Sequence, residues 1–345
     1  MKKSDRFALL MALSAGFAVS LSAIAIAQPF ENPLNIPLNN GTRSDERETA
    51  DRLVRFGGQA ERLGNYEKAI EYWLQAADLY DRLGDFRALG LTYDYLGITY
   101  VKLGRLDPAE LYLRRRLAIA RDNDDFQGQV YGLNNLGTMY IQRNNFVGAV
   151  VAMEEALNIA RSIEFQEGEG LSLSNLGLVA ARSGNYAEAV KRYEEAIIFR
   201  RRFGNSVGEI NTRNNLGDAY LALQNYREAH ISYGIARQLA KEARELAGHF
   251  RATAGLARTY ATMGEPGAAL EEVKKWVAFA RENNDRAQEL AALQFAGRLQ
   301  LSRGEWRSAR TYLVDAIAIA QELQDEQSQT LLYDDLNRLI YVIQE

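Results

Sequence analysis

Cysteine is absent from this 345-residue chain, which excludes disulfides, Cys-ligated zinc, iron–sulfur clusters, thiol catalysis and the lipid anchor that needs an N-terminal Cys. Histidine is nearly absent too. His230 and His249 are the only two, and no His-x-x-x-His spacing or carboxylate constellation accompanies them, so they read as ordinary surface or packed residues and no metal is expected. Proline is scarce: of five, Pro29, Pro33 and Pro37 fall before residue 40, which leaves the remainder free to be helical. A basic excess is also lacking, with 41 Lys and Arg against 45 Asp and Glu and a formal charge of −4. That balance speaks against a nucleic-acid binder and for a protein or peptide partner. There is no Gly-rich phosphate loop with its lysine, and no cofactor is expected. At 47% hydrophobic and 25% charged residues, the chain is too apolar to be disordered in the main.

The start of the chain reads as an address. Lys2, Lys3 and Arg6 precede an uncharged apolar run from Phe7 to Ala27, the pattern of an export signal directing the chain to the periplasm or beyond the cell. Ala25-Ile26-Ala27 offers a small-x-small cleavage site before Gln28, and Ala23-Ile24-Ala25 a poorer one. An uncleaved membrane anchor is the alternative, because about 20 apolar residues span a bilayer. Residues 28–43 carry the three early prolines at four-residue intervals and read as an extended linker. Ser44, with Asp45 and Glu46 behind it, reads as the N-cap of the first helix.

Beyond residue 44 a period of 40 runs without insertion. Ala69, Ala109, Ala149, Ala189, Ala229, Ala269 and Ala309 mark it, as do Leu96-Gly97, Leu136-Gly137, Leu176-Gly177 and Leu216-Gly217. Gly64, Gly104, Gly184, Gly264 and Gly304 punctuate turns. Leu133, Leu136, Gly137 and Tyr140 form the stripe of an amphipathic helix A; Phe146, Ala149, Met153, Ala156, Leu157 and Ala160 form that of a helix B. Pro108 and Pro266 fall in first turns of B helices, where proline loses no hydrogen bond. The small residues imply close crossing of A and B, so a side chain at Gly137 should force them apart.

Leu-Gly-x-x-Tyr followed by Ala-x-x-x-aromatic, as in Leu216, Gly217, Tyr220, Ala229 and Tyr233, resembles the tetratricopeptide repeat. The usual unit has 34 residues. Six more, about 1.7 helical turns, require longer helices or longer loops between units, as in the Leu-Gly-Asn and kinesin-light-chain variants that this unit resembles. The resemblance covers residues 44–342 and implies an all-α fold: a right-handed α-solenoid of antiparallel helix pairs, seven repeats plus a final helix. That last segment, with Asp334, Asp335, Asn337 and Arg338, has the polar composition of a capping end.

Neither the 43 residues before the repeats nor the three after them can hold a catalytic domain, so an enzyme is not expected. Asp122-Asn123-Asp124-Asp125 faintly resembles a calcium loop, but Phe126 and Gln127 stand where a ligand and the turn glycine belong; it reads as a loop, as does Asn283-Asn284-Asp285. The runs Arg114–Arg116 and Arg200–Arg202 read as solvated B-helix faces, with an acidic lipid or protein surface as the alternative.

The resemblance implies that helix A lines a concave, peptide-binding groove. Carried over, its contact positions include Tyr95, Asn135, Asn175 and Asn215 just before Leu-Gly or its equivalent, and Asp218, Arg258 and Arg298 shortly after, joined by Arg251. An asparagine ladder can pair with successive peptide groups whatever the side chains, and the arginines would favour carboxylates. The equally open alternative is that the asparagines satisfy the chain's own groups and the arginines are solvated. The Lys and Asn pattern of the chaperone-tail clamp is missing. The function expected is an exported scaffold or assembly adaptor that binds an extended, acidic peptide segment. The alternative is a self-associating component, a homo-oligomer, or a membrane-tethered assembly factor, for example for envelope or photosynthetic complexes.

Overall fold

The computed structural model describes residues 45–344, and side chains through 338. The segments read as an export signal and a linker, and Ser44 read as an N-cap, lie outside these residues. Among the described residues there are fifteen α-helices and no strand. They are α1 (Asp45–Arg62), α2 (Tyr66–Arg82), α3 (Phe86–Lys102), α4 (Leu106–Asp122), α5 (Phe126–Gln142), α6 (Phe146–Ser162), α7 (Gln166–Arg182), α8 (Tyr186–Arg202), α9 (Ser206–Ala222), α10 (Tyr226–Ala243), α11 (Leu246–Thr262), α12 (Pro266–Glu282), α13 (Arg286–Arg303), α14 (Trp306–Glu322) and α15 (Glu326–Gln344). Odd-numbered helices are the A helices of the sequence period and even-numbered ones the B helices. They divide into two compact units, 45–208 and 209–344, with the boundary in the first turn of α9.

The six extra residues per repeat go into helix rather than loop. Most helices have 17 residues, and the turns between them are three residues long, or two after α10 and α13, where the helix runs one residue further. The turn is the same whether it joins A to B or B to the next A, so the backbone repeats every 20 residues. Its middle residue lies in the left-handed region each time: seven are glycines, from Gly64 to Gly304, and seven are not, among them Asp124, Asn144, Glu164 and Gln224. The amide of the following residue then bonds back five residues, as Asn65 does to the Ala60 carbonyl at 2.9 Å and Asn145 to Tyr140 at 2.8 Å, satisfying carbonyls at the helix end. That same residue caps the next helix. Asp125 Oδ1 accepts from the Gly128 amide at 2.8 Å, and Asn145 Oδ1 from Gly148 at 3.0 Å. The Asp/Asn-rich stretches at 122–125 and 283–285 are therefore helix-ending and helix-starting turns, as read from the sequence.

Within a repeat, A and B approach at one glycine. A Cβ built on Gly137 would sit 2.8 Å from Met153 Cε, on Gly177 2.6 Å from Tyr193 Cε1, and on Gly217 2.7 Å from Tyr233 Cε1. The facing residue is always 16 further on. Where Ala257 replaces the glycine, the facing residue is Val273, shorter than the tryptophan, leucine, methionine or tyrosine of the other pairs, and both are buried in one apolar cluster. Successive A helices also touch, α3 with α5 and α5 with α7 in the first unit, α11 with α13 and α13 with α15 in the second. The helices α3, α5 and α7 of the first unit, and α11, α13 and α15 of the second, therefore form contiguous rows.

The ends of the repeat series depart from its interior. Leu96, Leu136, Leu176, Leu216 and Leu256 occupy one repeat position and are buried, whereas Phe56 at the same position in α1 is 49% exposed. At the other end, α15 buries Leu332 but exposes Leu331 and Tyr333, so the expected polar cap is only partly polar.

Candidate functional site

The A-helix row carries the residues singled out from the sequence, and most of them have partners within the chain. Tyr95 is buried and stacks on Trp73, ring centroids 5.3 Å apart; burial pushes its hydroxyl pKa up. Asn135 is buried and donates from Nδ2 to Asp94 Oδ1 at 3.0 Å. Half-buried Asn175 donates to Asn134 Oδ1 at 2.9 Å, and Asn134 donates in turn to Ser172 Oγ at 2.9 Å. These bonds run between A helices of the chain itself, from each asparagine to the residue 41 positions earlier. Asn135 and Asn175 thus staple α3 to α5 and α5 to α7. Beyond these bonds each amide keeps its carbonyl oxygen and one further N–H.

A residue that sequence reading misplaced sits beneath this ladder. Arg116, read as part of a solvated basic run, is buried, as is Arg200 of the second run; Arg114, Arg115, Arg201 and Arg202 are exposed. Arg116 Nε donates to Asp94 Oδ2 at 2.9 Å and Nη2 to Asp125 Oδ2 at 3.3 Å. Gly90 and Gly128 make the room: a Cβ there would lie 3.1 Å and 2.4 Å from the guanidinium nitrogens. The signal was present in the sequence as glycines on two A helices flanking an arginine on the B helix between them.

In the second unit four of the expected residues do come together, with Tyr233, which the sequence reading left out of the site. Arg251 Nη2 donates to Asn215 Oδ1 at 2.5 Å and to Asp218 Oδ2 at 2.7 Å. Arg258 Nη2 donates to Asp218 Oδ1 at 3.1 Å, and the same oxygen accepts from the Tyr233 hydroxyl. Burial alone would push the Asp218 carboxyl up, but the Arg251 and Arg258 guanidiniums more than offset it and hold it below its ordinary value. Burial, with Asp218 beside it, pushes Tyr233 well up, so its hydroxyl stays a donor. Arg298, the last of the expected set, donates from Nε to Asp335 Oδ2 at 2.8 Å. The arginines read as attractive to an acidic partner therefore already hold carboxylates of this chain.

The histidines stand apart from this row of partners. His230 Nε2 is 2.9 Å from the Tyr260 hydroxyl. The His249 ring packs 3.9 Å from that of Phe279, and its Nδ1 is buried without a hydrogen-bond partner. Burial, then the charges of Arg237 and Lys241, lower its pKa. An unfolded histidine titrates near pH ~6.5, so the folded chain resists a proton that the unfolded chain accepts; the stability is complete above that pH and is lost as pH falls toward the lowered value. His249→Phe should raise stability by about 1 kcal/mol at neutral pH by removing the unpaired nitrogen, and by more at pH 5 than at pH 7.5. Urea unfolding at the two pH values measures this, and an advantage that does not grow on acidification contradicts it. Among the described residues no group of three or more His, Asp or Glu is placed to hold a metal ion, and no helix is long and apolar enough to cross a membrane.

Comparison with known proteins agrees with the helix pairing. Residues 48–122 and 168–247 match one family model described as tetratricopeptide repeat, and residues 132–163 match another of the same description. Together these cover more than half of the chain. Residues 240–296 and 288–340 match the model for anaphase-promoting complex subunit 5. A search of curated proteins finds no match. Among solved structures, the chain is similar to a signal transduction ATPase with numerous domains that carries a tetratricopeptide repeat sensor, from Pyrococcus horikoshii: TM-score 0.62, 20% identity, 83% of this chain and 44% of that one. It thus spans less than half of that ATPase. It is also similar to a Rap protein complexed with competence and sporulation factor (0.53, 14%, 86% and 96%) and to a kinesin light chain from Podosopora anserina with nearly identical TPR-like repeats (0.51, 20%, 57% and 97%).

Proposed function

From the premise that the chain is a tetratricopeptide-repeat protein, we propose that it is an exported interaction scaffold that holds an extended segment of another protein along its A helices. The observation that carries this reading is the recurrence of half-exposed side chains on successive A helices at 40-residue intervals. Leu91 on α3 is matched by Tyr131 on α5, and Thr138 on α5 by Leu178 on α7. Packed helices lie about 8–10 Å apart and an extended chain rises about 3.3 Å per residue, so an extended segment meets a new A helix every three residues or so. The first unit offers Leu91 and Tyr131 at one level of its A helices, and Thr138 and Leu178 two turns further along. The second unit, by itself, offers such a segment Asn211, Asn215, Asp218 and Arg258. The Rap protein solved with its factor bound supports a binding role for such a fold. Export rests on the basic start and apolar run of residues 1–27.

Selection from a displayed peptide library on the full-length chain tests the reading. Leu178→Arg adds bulk and charge to the row while leaving the close A-to-B crossing at Gly177 intact. Selected peptides should bind the parent and lose at least tenfold in affinity on this variant, with circular dichroism unchanged. Equal binding to both would move recognition off the A helices. A second reading, end-to-end self-association, is favoured by Phe56, exposed where its repeat equivalents are buried. A mass by light scattering that rises with concentration and reverts in Phe56→Ser would support it.

A further inference from the structure

Resting on the reading that the A helices take a peptide, we propose that Arg251 and Arg258 form a receptor for one carboxylate of the bound segment, and that Asp218 is its built-in competitor. A guanidinium offers a planar edge of two N–H groups, Nε and Nη2, that fits the two oxygens of a carboxylate. In Arg251 that edge is half used. Nη2 is shared between Asn215 Oδ1 and Asp218 Oδ2, while Nε is buried with no hydrogen-bond partner. One carboxylate, Asp218, is divided among Arg251, Arg258 and the Tyr233 hydroxyl. A buried guanidinium donor without an acceptor is costly, and a second carboxylate at that edge would fill it.

The access route follows from exposure. The Asp218 side chain is 24% exposed, that of Arg258 15% and that of Arg251 7%, so of the three Asp218 is the most open to solvent and Arg251 the least. An incoming carboxylate must displace or shoulder aside Asp218. The chain's own carboxylate thereby sets a threshold: a neutral segment cannot compete for the arginines, whereas an acidic side chain or a terminal carboxylate can.

The two sources share one chemistry and are separated by three labelled probes titrated into the full-length chain by fluorescence anisotropy. The first is hexaglutamate blocked at both ends, the second hexaglutamine with a free C-terminal carboxylate, and the third hexaglutamine blocked at both ends. At least one of the first two should bind about tenfold more tightly than the third, and which one does so identifies the source. Asp218→Asn should tighten that probe by about tenfold; Arg258→Gln, which removes one of the two guanidiniums, should weaken it by a similar factor. Where Asp218→Asn fails to fold, the Arg251 Nε–Hε resonance of the parent supplies the second readout: it should shift with the favoured probe and not with the blocked hexaglutamine. Equal binding of all three probes, an unmoved Arg251 resonance, or an Arg258→Gln variant that binds like the parent overturns the receptor. If library-selected peptides still depend on Leu178 in that event, the A-helix reading stands and only the carboxylate receptor falls.

Discussion

Gly177→Ala is expected to cost about 3 kcal/mol of stability, the upper end for overpacking, although it adds a single methyl group. The new Cβ would lie 2.6 Å from Tyr193 Cε1 and 2.7 Å from Cδ1, and Tyr193 is only 1% exposed, so the ring has nowhere to go. Larger residues should prevent the pair from forming. The chain contains its own remedy: Ala257 stands at the equivalent position, and the residue 16 further on is Val273. Tyr193→Val alone should lose about 3 kcal/mol through its cavity. The double variant, which recreates the Ala257–Val273 pair, should lose less than the sum by at least about 1 kcal/mol, the size of coupling seen between touching residues. Chemical denaturation of the four proteins measures the coupling. Additive losses would mean that helix crossing distance is not what glycine sets here.

Arg116→Met carries the second large effect. It leaves Asp94, whose side chain is 2% exposed, without its cation, and removing one partner of a buried pair costs about 3–5 kcal/mol. Asp94→Leu combined with Arg116→Met should recover most of this, because two apolar side chains replace the pair in a site that Gly90 and Gly128 already hold open. Recovery should stop short of the parent by about 1 kcal/mol, the Asn135 Nδ2 having lost its acceptor. An Arg116→Met protein within 1 kcal/mol of the parent would show that the pair does not hold α3, α4 and α5 together.

The fold was almost fully legible because the alanines and Leu-Gly pairs fix which helix faces meet, and that information is periodic. The 20-residue sub-period was hidden. Half of its left-handed turn positions carry residues such as Glu164, Gln224 and Arg244 that give no turn signal of their own, the helix ends around them supplying the constraint. Polar partners were legible only in part. The asparagines at 135, 175 and 215 announce a ladder, but not that Asp94, Asn134 and Arg251 occupy it from within the chain, since periodicity assigns a residue to a face and not to the neighbour across from it. Arg116 shows the same limit. Its place in a basic run suggested solvent, and only the glycines on both flanking helices mark it as buried.

The same distinction bears on function. Groups first read as ligand contacts hold adjacent A helices together, so changing Asn135, Asn175 and Asn215 would test stability as much as binding. The proposed binding surface therefore rests on side chains that remain half-exposed on the A helices, among them Leu91, Tyr131 and Leu178 in the first unit and the Asp218 cluster in the second.

Hydrogen exchange on the full-length chain, with and without a library-selected peptide, tests the central claim most directly. The account predicts added protection confined to A helices, in α3, α5 and α7 or in α9 and α11, with the B helices unchanged. Protection concentrated on B helices such as α4, α6 and α8 would contradict it and place recognition on the opposite face of the repeats.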